Sequence, residues 1–261
     1  MTSTLKTPAD PKLLDSIRIV LSRTSHPGNI GAAARAMKTM GLSQLYLVEP
    51  SVFPNSQADA MASGASDVLA SAVVCENLTQ ALTGTVLVLG VSARRRDITS
   101  EVLTPAQAAS RLLTEAYLAP VALVFGNETS GLSNEELGAC QGLVSIHANP
   151  DYSSLNLAAA VQVLSYEVRQ SWLNHTHWPQ PEIDAATTEE IERFYTHLET
   201  TLAELAFLNP GSPGKLMLKL RRLFARTRLA KEEVNILRGI LTAASDAAQK
   251  SMPRVTQIDN S

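Results

Sequence analysis

Residues 121–165 constrain this chain more than any other stretch. They read V-A-L-V-F-G-N-E-T-S-G-L-S-N-E-E-L over 121–137 and S-I-H-A-N-P-D-Y-S-S-L-N-L-A-A-A-V-Q-V-L-S over 145–165. Two apolar runs each enter a loop rich in Gly, Ser, Asn and Pro, and each loop opens a helix. Short apolar runs bounded by turn residues are the pattern of strands buried on both faces. Strand–loop–helix junctions in open α/β sheets turn backbone N–H groups outward, and ligands dock there. Two such loops so close in sequence predict one cleft with two walls.

The rest of the chain repeats the alternation. Strands are predicted over 17–21, 44–48, 73–74, 85–91, 121–125 and 143–146, where β-branched and apolar residues cluster. Helices are predicted over 29–40, 56–64, 78–82, 105–117, from 133 and over 155–173. Asn29 is expected to cap the first, and Ser153 and Ser154 the last. The fold class is therefore α/β: a mostly parallel sheet with helices on both faces. The polar, proline-containing residues 1–16 are expected to be flexible. Residues 17–173 form the expected α/β domain and 174–188, N-H-T-H-W-P-Q-P-E-I-D-A-A-T-T, a linker. A small all-helical extension over 189–250 has helices near 189–207, 215–226 and 231–249, and 251–261 is a tail.

Charge is unevenly spread. The formal net charge is −3, yet residues 214–238 carry eight Lys and Arg against two Glu, which leaves −9 for the remainder. On helix 215–226, Leu216, Leu220, Leu223 and Phe224 form an expected core face. Lys215, Lys219, Arg222 and Arg226 form an adjoining basic stripe. Like charges at this spacing slightly destabilise a helix, so the stripe favours a phosphate-bearing partner. Arg94, Arg95 and Arg96 follow a strand end and are a second candidate contact for a polyanion.

Other functions fail on missing residues. The segment G-N-E-T-S-G-L-S (126–133) has the outline of a phosphate loop, but Leu132 stands where the lysine belongs. No G-x-G-x-x-G follows the first strand, and no G-x-S-x-G elbow surrounds Ser153-Ser154. His175 and His177 lack a nearby third ligand, so no metal site is expected. Cys75 and Cys140 are too few for a disulfide framework and read as buried thiols. No signal-peptide core begins the chain, and no apolar run matches a membrane span. A soluble, cytoplasmic protein is expected.

Three motifs resemble those of the SPOUT methyltransferases, trefoil-knotted enzymes that use S-adenosylmethionine. They are N-I-G-A-A-A-R (29–35), F-G-N-E-T-S-G-L (125–132) and I-H-A-N-P-D-Y-S-S-L-N-L-A-A-A-V-Q-V-L-S-Y-E (146–167). The tail segments E-R-F-Y-T-H-L-E (192–199), K-L-R-R-L-F-A-R (219–226) and N-I-L-R-G-I-L (235–241) extend the similarity to the bacterial TrmJ family. That family 2′-O-methylates the ribose of nucleotide 32 in the tRNA anticodon loop.

The resemblance implies a deep C-terminal knot near 121–165 and a homodimer with active sites at its interface. It implies that Val91, Ser92, Ala93, Gly126, Ile146, Ser153, Ser154 and Leu155 line the cofactor pocket. It also implies a catalytic set of Asn29, Arg35, Glu128, Ser154 and Asn156. Arg35, Arg94, Arg95, Lys215, Lys219, Arg222 and Arg226 would contact tRNA. Position 127 is Asn, where some relatives carry Arg or another residue. The family's proposed base is Arg35, but a guanidinium holds its proton in proteins. Clamping the phosphate beside the target ribose suits it better. Ser154 and Asn156 would orient the ribose, and Glu128 would organise Asn29 and Arg35. The small residues of helix 29–40 would suit a surface between protomers. Two rival readings are ribose methylation of another RNA, such as ribosomal RNA, and a non-catalytic RNA-binding protein with a vestigial pocket.

Overall fold

The computed structural model describes residues 12–93, 102–174, 183–209 and 215–251. In chain order the α/β part comprises α1 (Lys12–Asp15), β1 (Ile17–Ser22), α2 (Pro27–Met40), β2 (Gln44–Val48), α3 (Ser56–Ala62), α4 (Ser66–Ala70), β3 (Val73–Cys75), α5 (Leu78–Ala81), β4 (Leu87–Val91), β5 (Val102–Leu103), α6 (Pro105–Glu115), β6 (Val121–Phe125), α7 (Asn134–Gly138), β7 (Gly142–Val144) and α8 (Leu157–Asn174). The extension adds α9 (Thr188–Glu204), α10 (Leu216–Ala225) and α11 (Lys231–Ser251).

The seven strands among the described residues are all parallel, in the order β3-β2-β1-β6-β4-β7-β5. β6 lies between β1 and β4, and β7 between β4 and β5. The two strands of 121–165 are therefore inserted among earlier ones, which brings their following loops beside the end of β4. β5 is the strand that the sequence did not reveal. Two residues carry no periodicity, and only their pairing with Leu143 and Val144 makes them a strand.

Side-chain alternation divides the core. Ile17, Ile19 and Leu21 of β1 and Val121, Leu123 and Phe125 of β6 join a cluster with residues of α2, α6 and α8. Val20, Ala122 and Val124 turn to the other face and pack with Leu82, Leu137, Cys140 and Leu143. That period of two lets a wholly apolar strand serve both layers. Both cysteines are buried thiols. Within the segment expected to be flexible, Lys12–Asp15 form a helical turn that buries Leu13 and Leu14.

Two helix starts differ from the sequence expectation. α2 begins at Pro27 with His26 at the cap position, so Asn29 lies inside the first turn. Proline fits there because its missing N–H has no helical partner to lose. α8 begins at Leu157 rather than 155, and its first N–H groups are met by Asn156, whose Oδ1 accepts from Ala158 and Ala159 at 2.9 and 3.4 Å. Ser153 and Ser154 do not cap it.

The small residues of α2 pack within the chain. A Cβ on Gly31 would lie 2.0 Å from the Ala58 carbonyl oxygen, so α2 and α3 meet backbone to backbone. Ala33, Ala34 and Ala36 are buried too. The outward stripe of α2 is Gly28, Ala32, Arg35 and Thr39, at i, i+4, i+7 and i+11.

The extension has its own core of Phe194, Tyr195, Leu198, Leu229 and Val234, against which Met217, Leu220 and Phe224 pack. The core face of α10 is thus Met217, Leu220 and Phe224. Leu223, expected to be buried, is 47% exposed. Arg221 takes an inner place, in a two-pronged pair with Glu192 at 2.5 and 2.7 Å and over the Tyr195 ring. Residues 183–188, within the expected linker, are fixed in part: Ala185 and Ala186 are buried, and Ala185 bridges to Ala230. The extension docks on the α/β part through Thr188 with Thr85, Glu189 with the Gly84 N–H, and an ion pair between Arg228 and buried Glu115.

Candidate active site

One cavity opens at the carboxyl ends of β4 and β6, where strand–loop–helix junctions present backbone groups. All eight residues singled out for a cofactor line it: Val91, Ser92, Ala93, Gly126, Ile146, Ser153, Ser154 and Leu155. Its space is about 810 Å³, counting the open mouth. Apolar Ile146 and Leu155 line it together with loops 91–93 and 126–131. That mixture fits a nucleoside-bearing cofactor: apolar walls for a base, main-chain groups for its polar edge.

The loop after β6 makes the cavity possible. It doubles back, with Asn127 bridged to Gly131 and the Gly131 N–H donating to the Asn127 carbonyl at 2.8 Å. A Cβ on Gly126 would lie 2.3 Å from the Gly131 carbonyl carbon and from the Leu132 nitrogen. Asn127 is the loop's brace. Its Oδ1 accepts from Thr129 and Ser130 at 2.9 and 3.2 Å, and its Nδ2 donates to Arg23 O and Ser25 Oγ at 2.8 and 2.7 Å. Residues 127–132 all line the cavity, yet of this loop only Gly126 was assigned to the cofactor and only Glu128 to catalysis from the sequence. Their signal was the 125–132 motif itself.

Glu128 joins this loop to α2. Its carboxylate accepts from the Ser25 and His26 N–H groups at 2.9 and 3.2 Å and from Asn29 Nδ2 at 2.9 Å. Asn29 Oδ1 in turn accepts from Asn156 Nδ2 at 3.0 Å. Residues far apart in sequence thus form one polar chain, Glu128–Asn29–Asn156, beside the cavity. Asn29 can serve in it because it is inside the helix and not occupied as a cap. Ser154 is exposed on the cavity wall two residues before Asn156.

The Glu128 environment sets its chemistry. Partial burial pushes its pKa upward, but the hydrogen bonds from Ser25, Asn29 and His26 and from its own N–H outweigh that and hold it below the ordinary carboxylate value. A carboxylate so engaged is a clamp and a poor proton acceptor. A depressed folded-state pKa contributes stability that is present above the unfolded value, about 4.3. That contribution is lost as pH falls through the folded value. Glu128→Gln is therefore expected to lower Tm at pH 7, by an amount that solvent screening of this partly exposed carboxylate keeps small. The difference from wild type should shrink progressively as pH falls below 4. A gap in Tm independent of pH would show that the charge does not matter.

Arg35 stands apart. It is exposed on α2, and among the described residues it has no hydrogen bond or ion pair, so Glu128 reaches Asn29 but not Arg35 within one chain. The basic residues of α10 divide likewise. Lys215, Lys219 and Arg226 are exposed and Arg222 is half-buried, none with an ion pair among the described residues. Arg94 and Arg95 lie outside the described residues. Among those described, no cluster of three or more His, Cys, Asp or Glu could hold a metal, and no helix is long and apolar enough to cross a membrane.

Comparison with known proteins identifies the family. Residues 16–166 match the SpoU rRNA Methylase family, and residues 189–253 match the family described as tRNA methyltransferase TrmJ, C-terminal domain. The tRNA (cytidine/uridine-2′-O-)-methyltransferase TrmJ of Pectobacterium atrosepticum is 53% identical over 234 residues, covering 88% of this chain and 97% of that protein. Its counterpart in Klebsiella pneumoniae is 51% identical over 236 residues, with the same coverage. Among solved structures, TrmJ from Z. mobilis ZM4 superposes with a TM-score of 0.77 at 33% identity, covering 87% of this chain and 97% of that one. This chain belongs to the SpoU methylase family, within its TrmJ group of tRNA 2′-O-methyltransferases.

Proposed function

We propose that this chain methylates the ribose 2′-oxygen of nucleotide 32 in the tRNA anticodon loop, with S-adenosylmethionine held in the cavity between β4, β6 and the 145–156 loop. The observation that carries this reading is the meeting of cavity and polar chain on one loop. Residues 126–132 line the cavity and, through Glu128, hold Asn29 and Asn156 beside it. The donor, when bound, supplies an electrophilic methyl on a sulfonium. The protein's task is then alignment of the 2′-oxygen with that methyl, plus passage of the hydroxyl proton.

The residues divide that task. Val91, Ser92, Ala93, Gly126, Ile146, Ser153 and Leu155 enclose the donor. Ser154 and Asn156 orient the ribose. Arg35, permanently charged and without a partner among the described residues, clamps the adjacent phosphate and polarises the hydroxyl. Its place on the outward stripe of α2 suits a homodimer in which it completes the partner's site.

The division of labour follows the chain: residues 17–173 as a knotted methyltransferase domain, and 189–250 as the part that grips tRNA. Lys215, Lys219, Arg222 and Arg226 would face phosphates, giving binding that weakens with salt. Arg94 and Arg95 would add contacts near the donor. The cell compartment would be the cytoplasm, where tRNA is processed.

The test is nucleoside mass spectrometry of tRNA from a strain lacking the gene. The expected result is loss of 2′-O-methylcytidine or 2′-O-methyluridine at position 32, restored by the wild-type gene. Intact methylation at 32 with loss elsewhere would overturn the position.

A further inference from the structure

We infer that Tyr152 is a positioning residue for the substrate: its ring stacks on the base of the nucleotide whose ribose is methylated. The inference rests on the tRNA reading above and adds to it the group that holds the base.

Among the described residues Tyr152 is the most solvent-exposed of the large hydrophobic side chains, at 80%. Among the described residues its hydroxyl has no hydrogen bond and its ring no aromatic or cationic partner. Exposure of one apolar side chain is ordinary; its location here is not. Tyr152 immediately precedes Ser153, Ser154 and Leu155, three consecutive residues of the cavity wall, and Ile146 on the same loop lines it too. Tyr152 thus sits on the loop that walls the cavity, next to its lining residues and not itself one of them.

The loop holds it there. Asn149 accepts from the Asp151 N–H through its Oδ1 at 3.0 Å and from the Tyr152 N–H through its carbonyl at 3.0 Å. Pro150 fixes the intervening backbone. The turn orders the backbone while nothing in the described chain covers the ring. The ring that lines the cavity, Phe125, is 2% exposed and committed to the core. Among the described residues Tyr152 is thus the uncovered aromatic ring on the loop that walls the cavity.

The substrate supplies a matching need. A 2′-hydroxyl presented to an enclosed donor requires its nucleotide to leave the stacked loop, and its base then loses its stacking neighbours. An exposed aromatic ring on the adjoining loop replaces them. Such stacking tolerates either pyrimidine, because each presents a π-face. A rigid ring on a braced turn also costs little ordering entropy on binding.

The experiment uses the full-length chain, an unmodified tRNA transcript and S-adenosylmethionine, comparing wild type with Tyr152→Ala, Tyr152→Phe and Tyr152→Leu. The expected result for Tyr152→Ala is KM for tRNA raised by about ten- to a hundredfold, with cofactor affinity by calorimetry unchanged. Tyr152→Phe should behave as wild type, because the ring is retained. Tyr152→Leu should resemble Tyr152→Ala despite its apolar bulk, an outcome that a role in loop stability would not give. Unchanged KM in Tyr152→Ala overturns the inference. So does a cofactor affinity that falls as far as KM rises, which would make Tyr152 part of the donor's wall. A wild-type chain inert on tRNA would instead overturn the underlying reading, and this inference with it.

Discussion

Arg35→Ala is expected to slow methyl transfer to tRNA by about 10²–10³-fold, the scale of removing one charged group aimed at a reacting centre. S-adenosylmethionine affinity, measured by calorimetry, should stay near wild type. Arg35 is not among the residues lining the cavity, and among the described residues it bonds to none of Glu128, Asn29 and Asn156. Its loss should therefore leave the donor's walls and the polar chain intact. Arg35→Lys should recover little, because a point charge lacks the planar two-pronged match to phosphate. If donor affinity fell in parallel with rate, Arg35 would belong to the pocket and its clamp role would fail. Because Arg35 is exposed, stability should change by no more than about 0.5 kcal/mol. An activity loss with unchanged Tm separates the clamp from a folding defect.

Gly126→Ala should have the other large effect, by a different route. The added methyl would sit 2.3 Å from two backbone atoms of residues 131 and 132, and no flexible side chain can yield. The loop must open, and it carries both the cavity wall and Glu128. A stability loss of about 1–3 kcal/mol is expected from such overpacking. Donor affinity should fall by at least roughly a hundredfold, since a lining displaced by an ångström loses its fit. Gly64→Ala is the control: a Cβ there meets nothing within 4 Å, and both properties should stay near wild type. Unchanged calorimetry for Gly126→Ala would mean that the loop is looser than its close contacts require.

Most strands were legible because buried parallel strands are short apolar runs with turn residues at both ends. Residues 44–48 and 121–125 match β2 and β6 to the residue. The capping box over 133–136 is present, with Ser133 accepting from Glu136 and Glu136 accepting in return. Helix starts were less legible. Asn29 has the chemistry of a cap, but Pro27 two residues earlier already satisfies the first turn, which frees Asn29 for Glu128. Near 155 the sequence offers Ser153, Ser154 and Asn156 as caps, and only the backbone path chooses Asn156. On α10, helical spacing located an apolar face but misassigned Leu223. The face is rotated toward Met217 because Phe224 packs edge-on against Phe194, and because Arg221 must reach Glu192.

The sequence by itself determined the alternating strand and helix pattern, the glycine- and serine-rich loops and the basic run of α10, which are local properties written in spacing and residue type. Eight residues of the cavity wall came instead from the resemblance of its motifs to a known family. Tertiary structure decided the rest. It inserted β6 and β7 among earlier strands, paired β5, used the small face of α2 to seat α3, and joined Glu128, Asn29 and Asn156 across about a hundred residues of chain. A hydrogen bond between distant residues depends on where the backbone has been carried, and spacing along one segment holds no record of that.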